Sequence, residues 1–121
     1  MPVSGVILAG VKEGLAQMRL ERKIESDAVE QIEGWWGEVY CLKLNVLGRR
    51  GWPDRLILAP EGTVMFVEFK RVGEKPRKLQ EFCHDILTTL GFEVQVHDDT
   101  DEAVEAVKAY IRSKTNSAPR N

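Results

Sequence analysis

The chain has 121 residues, room for one domain and not two. Its 17 Lys+Arg against 19 Asp+Glu give a formal charge of -2, and 43% hydrophobic with 30% charged residues is an ordinary globular balance that excludes disorder as the main state. No apolar run approaches the ~18 residues of a membrane span. Cys41 and Cys83 lie far apart with only His84 and His97 beside them, so neither a disulfide framework nor a Cys/His zinc site is expected. Val6 to Val11 is short, is broken by Gly10 and lacks the basic flank of a signal peptide, so an intracellular, cytoplasmic location is expected.

The first twenty residues are the hardest to read. Val6 to Met18 has helical character weakened by Gly10 and Gly14. From about Leu20 to Glu33 the spacing of Leu20, Ile24, Ala28, Ile32 and Trp35 predicts a helix with one apolar stripe, closed by Gly34 and Gly37. Glu38 to Val46 reads as a strand through Val39, Cys41, Leu42 and Leu44, and Leu47 to Pro53 as a loop punctuated by Gly and Pro.

Asp54 to Ala59 and Thr63 to Arg71 are β-rich and separated by Pro60, Glu61 and Gly62, a three-residue hairpin loop with glycine at its left-handed position. That register pairs Ala59 with Thr63, Ile57 with Met65 and Asp54 with Glu68. Val64, Phe66, Glu68 and Lys70 then share one face, and Met65, Val67 and Phe69 the other. Large apolar groups on both faces predict a central strand covered on both sides.

Pro76 suits the first turn of a following helix with Leu79, Phe82, Cys83, Ile86, Leu87 and Leu90 as its core stripe and Gly91 at its end. Phe92 to His97 is a short strand. Asp101 to Arg112 is a final amphipathic helix, and Ser113 to Asn121 a Ser/Asn/Pro-rich tail expected to fray. The fold expected is α/β, a mixed sheet flanked by helices in the order α-β-β-β-α-β-α. Residues 20–112 form the domain, 1–19 an N-terminal segment and 113–121 a tail.

The hairpin sets Asp54 and Glu68 across from each other on one face. Opposed side chains lie about 4.5–5.5 Å apart at Cβ, where like charges are destabilising. Lys70, two residues on, is one neutralising cation; a divalent metal such as Mg²⁺ or Mn²⁺ is the other. The apolar company of Glu68 (Phe66, Val67 and Phe69) argues for the metal, since a buried carboxylate needs a partner. A slip of one residue would send Asp54 to the other face. Between residues 49 and 78, eight bases (Arg49, Arg50, Arg55, Lys70, Arg71, Lys75, Arg77, Lys78) outweigh four acids (Asp54, Glu61, Glu68, Glu74), a net of +4. The acidic excess sits elsewhere, in Asp98, Asp99, Asp101 and Glu102. Such a segment either meets a polyanion or is simply a solvated charged surface.

Gly51-Trp52-Pro53-Asp54, then Glu68-Phe69-Lys70, then Gln80 on the next helix resembles the virus-type replication-repair nuclease (VRR-NUC) domain, a branch of the PD-(D/E)xK nucleases. The resemblance extends from about Leu20 to the final helix. It implies a restriction-endonuclease-like fold and roles at the matching positions. Asp54 and Glu68 would be metal ligands, with the Phe69 main-chain carbonyl a third. Lys70 would orient or deprotonate the attacking water, or stabilise charge on the phosphate. Family members also carry a glutamate on the first helix; Glu25 fits best because Val29, Ile32 and Trp36 follow it on one face, and Glu21 is the rival. Gln80 and, one turn on, His84 would border the site and touch the substrate backbone.

On that resemblance the expected activity is Mg²⁺- or Mn²⁺-dependent hydrolysis of DNA, leaving a 5′-phosphate and a 3′-hydroxyl. Arg49, Arg50, Arg71, Lys75, Arg77 and Lys78 would grip phosphates, giving salt-dependent, sequence-independent affinity. Trp52 would either stack on an exposed base or wedge the core closed. With no room for a sequence-reading domain, branched DNA such as a flap or four-way junction is the expected substrate. Cutting a two-fold symmetric junction on both strands needs two sites, so a homodimer is expected, with Val6 to Leu20 supplying contacts. The alternatives are a non-catalytic nucleic-acid-binding module on the same fold and a plain α/β interaction domain held by ion pairs.

Overall fold

The computed structural model describes residues 5–46, 50–116 and 119, with side chains in the first helix described from Val11 onward, Gln17 excepted. Helix α1 (Gly5–Trp35) is one 31-residue helix, not one that begins near Leu20. Each glycine costs roughly 1 kcal/mol against alanine. The intervening Lys12 to Lys23 is rich in Ala, Leu, Glu, Gln, Met, Lys and Arg, which carry the helix through Gly14. At about 1.5 Å per residue α1 is roughly 46 Å long. Its second half buries Ala28, Ile32 and Trp35, while Leu20, expected in that stripe, is exposed along with Val11, Leu15 and Met18 of the first half.

Strands β1 (Tyr40–Lys43), β2 (Arg55–Ala59) and β3 (Thr63–Phe69) follow, then helix α2 (Lys78–Thr89), strand β4 (Glu93–His97) and helix α3 (Thr100–Lys114). The element order is the one expected. The sheet runs β1-β2-β3-β4, antiparallel across the first two junctions and parallel across β3–β4, where α2 makes the crossover. The hairpin pairs Arg55 with Val67, Ile57 with Met65 and Ala59 with Thr63, the register read from the loop length. Glu61 and Gly62 both take positive φ (61° and 70°), as a primed turn requires at its two central residues.

The core lies on one face of the sheet, where Cys41, Ile57, Met65, Val67 and Phe69 meet Ala28, Ile32 and Trp35 of α1 and Val104, Val107 and Ile111 of α3. α3 is capped by Asp99, whose carboxylate accepts from the Glu102 N–H, and is tied to α1 by Thr100 Oγ1 donating to the Ile24 carbonyl. Thr115 is buried, and the Asn116 N–H donates to Glu61, so the chain stays on the domain past the expected end of α3 at Arg112.

The opposite face corrects the expectation that β3 is covered on both sides. Val64 and Phe66 are only half-buried there, and Tyr40, Leu42 and Leu58 are exposed. α2 also buries less than its sequence suggests: Cys83, Leu87 and Gln80 face inward, while Leu79, Phe82 and Leu90 are exposed. A crossover helix of 12 residues caps the β4 side and reaches Glu68, leaving the β1–β2 side open. α2 starts at Lys78, after Pro76, because the Gln80 side chain accepts from the Arg77 N–H and fixes Arg77 as the cap.

Candidate active site

Asp54 stands one residue before β2 in the register that sets it across from Glu68. Its carbonyl accepts from the Leu44 N–H at 2.9 Å, and its Oδ2 accepts from the Phe69 N–H at 2.7 Å. The Gly51-Trp52-Pro53 approach explains itself locally. Gly51 has φ +93°, and a Cβ there would lie 2.8 Å from both Leu79 Cγ and the Leu79 carbonyl, so only glycine lets this segment run against α2. Pro53 is fully buried, fixing the entry into Asp54.

Glu68 is 2% exposed. Its Oε2 accepts from Gln80 Nε2 at 3.1 Å and pairs with Lys70 Nζ at 3.5 Å, whereas its buried Oε1 has no hydrogen-bond partner. Lys70, also buried, donates to Gln80 Oε1 at 2.7 Å and faces Glu74 Oε1 at 3.6 Å. Burial, then the neighbouring Asp54 charge, pushes the Glu68 carboxyl up to about 8 against the pull of Lys70. Asp54 is raised as well, chiefly by burial, with the Phe69 N–H bond opposing. A cleft of about 530 Å³ opens over these groups, walled by Met18 and Glu21 of α1 and by Arg71, Glu74, Lys75 and Arg77 of the β3–α2 loop.

No family model matches the chain. It is 43% identical over 86 residues to a protein named "Putative nuclease p44" from Acyrthosiphon pisum secondary endosymbiont phage 1, across 69% of this chain and 90% of that one. A solved structure described as "VRR_NUC domain" superimposes with a TM-score of 0.67 at 29% identity, covering 75% of this chain and 97% of its own. The chain belongs to the VRR-NUC family. It is a nuclease of VRR-NUC type, with the mixed sheet and element order of that fold.

Among the VRR-NUC positions read from sequence, Asp54, Glu68, Lys70 and Gln80 converge on this cleft. Glu25 does not line it. The side chain does turn inward, as its helical neighbours implied, but its Oε2 accepts from Arg55 Nε at 2.6 Å and pairs with Lys43 Nζ at 3.5 Å. Glu21 lines the cleft instead, its carboxyl raised by burial and by the charges of Asp54 and Glu74. Arg55, next after Asp54, alternates to the α1-facing side of the sheet, where its part-buried guanidinium takes the Glu25 carboxylate as its anion, a pairing across elements that the sequence pattern does not bring together.

Of the expected phosphate-gripping residues, Arg71, Lys75 and Arg77 line the cleft, Arg71 pairing with Glu74 at 2.9 Å. Arg50 and Arg77 border a smaller adjoining pocket of about 150 Å³. Lys78 is exposed on the first turn of α2, and Arg49 lies outside the described residues. Trp52 is half-buried. His84 is half-buried too, with Nε2 enclosed and unpartnered; burial and nearby Lys70 lower its pKa. Glu74 and Met18 were not singled out from sequence: an exposed-looking loop acid and a helix methionine carry no motif. Among the described residues no helix is long and apolar enough to cross a membrane, and Cys41 and Cys83 are free.

Among the described residues, no three His, Cys, Asp or Glu side chains gather closely enough to hold a metal alone. A magnesium-like ion does not demand that. It binds through one or two carboxylates and completes its shell with water and substrate phosphate oxygens. The unpartnered Glu68 Oε1 beside Asp54 is a buried acceptor of the kind such an ion satisfies.

Proposed function

We propose that this VRR-NUC protein hydrolyses DNA phosphodiesters with Mg²⁺ or Mn²⁺, selectively on branched substrates such as four-way junctions or flaps, as a homodimer in phage or bacterial replication and repair. The observation that carries the reading is Glu68 Oε1, a buried acceptor without a partner, in a cleft where Asp54 faces it and Lys70 stands beside it.

Asp54, Glu68 and the Phe69 carbonyl would hold the ion, with Glu21 closer to the cleft than Glu25 as the contribution from α1. The bound ion supplies charge neutralisation at the phosphoryl oxygen and a lower pKa for the attacking water. The Phe69 N–H holds one Asp54 oxygen in place, leaving the carboxylate aimed by the backbone of β3. Gln80 fixes the Lys70 ammonium at the edge of the cleft, where its charge can stabilise the phosphate as attack proceeds. Arg71, Lys75 and Arg77 draw the backbone in without reading bases. The water oxygen bonds to phosphorus and the P–O3′ bond breaks. A 5′-phosphate remains, and the 3′-oxygen departs as a hydroxyl after taking a proton.

The test is cleavage of labelled four-way junction, flap and linear duplex by wild type and Asp54→Asn in Mg²⁺, Mn²⁺ or EDTA. Metal-dependent cutting of branched DNA, lost in the variant, is expected. Binding without cutting in any metal would replace this reading with a non-catalytic DNA-binding module.

A further inference from the structure

We propose that Glu74 is a built-in competitor for the substrate phosphate, its carboxylate holding cations of the cleft until DNA displaces it. The inference rests on the DNA reading above and adds a specificity-determining residue that no motif marks. Glu74 divides its oxygens between two cations. Oε2 lies 2.9 Å from Arg71 Nη2, and Oε1 lies 3.6 Å from Lys70 Nζ. Carboxylate and phosphate offer an arginine the same pair of acceptor oxygens, so a guanidinium that holds one suits the other. The backbone puts this carboxylate in place. The Glu74 N–H donates to the Arg71 carbonyl at 3.0 Å, and Gly73 between them has φ +78°. Arg71 to Glu74 is therefore a β-turn with glycine at its left-handed third position, which brings Glu74 back beside Lys70. The Gly73 N–H donates to Asp98 Oδ2 at 2.9 Å and ties the turn to the residue after β4.

The contacts around this pair separate competition from support. Lys70 is buried, with Gln80 Oε1 at 2.7 Å and Glu68 Oε2 at 3.5 Å, so the ammonium is already held without Glu74. Arg71 is different. Its side chain is 41% exposed and that of Glu74 25%, and an ion pair this open to water is weak enough for another anion to exchange with it. Both residues line the cleft, beside Lys75 and Arg77. Asp54 and Glu68 belong to the proposed ion, whereas Glu74 stands against Arg71 and meets an incoming phosphate as a rival anion. A phosphate that takes the Arg71 fork and the side of Lys70 must turn the Glu74 side chain out. The turn itself need not move, since its two backbone hydrogen bonds do not involve that side chain. Glu74 therefore lowers the affinity of the free cleft for any phosphate and sets how much further contact a DNA must bring.

Titration of the full chain with labelled linear duplex and four-way junction tests this, in EDTA or Ca²⁺ across a salt series. The proteins compared are wild type, Glu74→Gln and Glu81→Gln. Glu81 is exposed on the first turn of α2 and does not line the cleft, so its variant reports the loss of one negative charge alone. Glu74→Gln should tighten binding roughly 3- to 10-fold at low salt. It should also steepen the slope of log affinity against log salt by about 0.9, the contribution of one further phosphate. Glu81→Gln should change affinity less than about 2-fold and leave the slope alone. Equal tightening in both variants, or none in Glu74→Gln while wild type binds, overturns the inference and leaves the DNA reading standing. No binding by any of the three overturns the DNA reading and the inference with it. Should Glu74→Gln fail to fold, NMR of the unaltered chain decides, through the Glu74 carboxyl carbon and the Arg71 guanidinium. Both signals should shift as duplex is added, and a Glu74 signal that stays in place overturns the inference.

Discussion

Gln80 holds its Oε1 2.7 Å from Lys70 Nζ and 2.9 Å from the Arg77 main-chain nitrogen, while its Nε2 lies 3.1 Å from Glu68 Oε2. The oxygen faces two donors and the amide nitrogen an acceptor, so all three contacts favour one orientation. One side chain thereby joins the start of α2 to two residues of the cleft floor. Gln80→Ala should lower the cleavage rate about 10- to 100-fold, the usual cost of losing a partner that orients reactive groups. KM should move little, because the proposed phosphate contacts belong to the loop arginines and lysine and not to Gln80. Lost capping should cost about 1 kcal/mol, visible in denaturant unfolding.

Replacing Asp54 separates charge from chemistry. Burial and then the Glu25 charge raise Asp54, and ionised Asp54 in turn raises Glu68, so without a cation Asp54→Asn should raise Tm in EDTA while abolishing metal-dependent cleavage. Added Mg²⁺ should stabilise wild type and leave the variant unchanged in thermal scans. A variant that melts lower than wild type in EDTA would show that the acidic pair is not strained.

The hairpin was legible because a three-residue loop ending in Gly62 admits one register, and that register fixed Asp54, Glu68 and Lys70 together. Gln80 came from resemblance alone; nothing in local patterning says that a helix glutamine reaches back to a strand lysine. What was illegible depended on partners distant in sequence. Glu25 looked like a site residue because it turns inward, and whether an inward carboxylate meets a cleft or Arg55 is decided by packing between α1 and β2. Leu79, Phe82 and Leu90 of α2 read as part of its core stripe. A crossover helix that covers only part of its sheet leaves Leu79, Phe82 and Leu90 in the open, and periodicity cannot tell a buried apolar stripe from an exposed one.

The two α1 glutamates should part company on substitution. Glu25→Gln weakens a buried pairing with Arg55 and should cost about 1–3 kcal/mol of stability. Titrated Mg²⁺ affinity should stay near wild type. Glu21→Gln, on the cleft wall, should leave Tm nearly unchanged and reduce cleavage or metal affinity. Equal loss of metal affinity in both variants would return Glu25 to the site.

Stability should depend on pH through Glu68. Its carboxyl ionises near 8 in the fold and near its ordinary 4.5 in the unfolded chain. Between those values the unfolded state binds fewer protons, so stability is greatest below the lower one and is lost as pH rises through the upper. In EDTA, Tm should fall by several degrees across that window. Glu68→Gln should flatten the slope, and Mg²⁺ should restore wild type at the alkaline end. A wild-type slope identical to that of the variant would show that Glu68 ionises normally.

Gly51→Ala tests how the motif loop is seated. At φ +93° the added methyl group meets the Leu79 carbonyl at 2.8 Å, a backbone atom that cannot rotate away. The strain and the clash together should cost about 2–3 kcal/mol in denaturant unfolding. The loop must then separate from α2, and α2 carries Gln80, so the damage reaches the cleft through Lys70 and Glu68. Cleavage at a temperature where the variant is fully folded should fall about 100-fold, as expected for a displacement near 1 Å. Binding of DNA should weaken much less, since Arg71 and Lys75 belong to the β3–α2 loop and are not among the atoms that a Cβ at Gly51 would meet. Full activity in a destabilised variant would show that the loop seats Asp54 independently of α2.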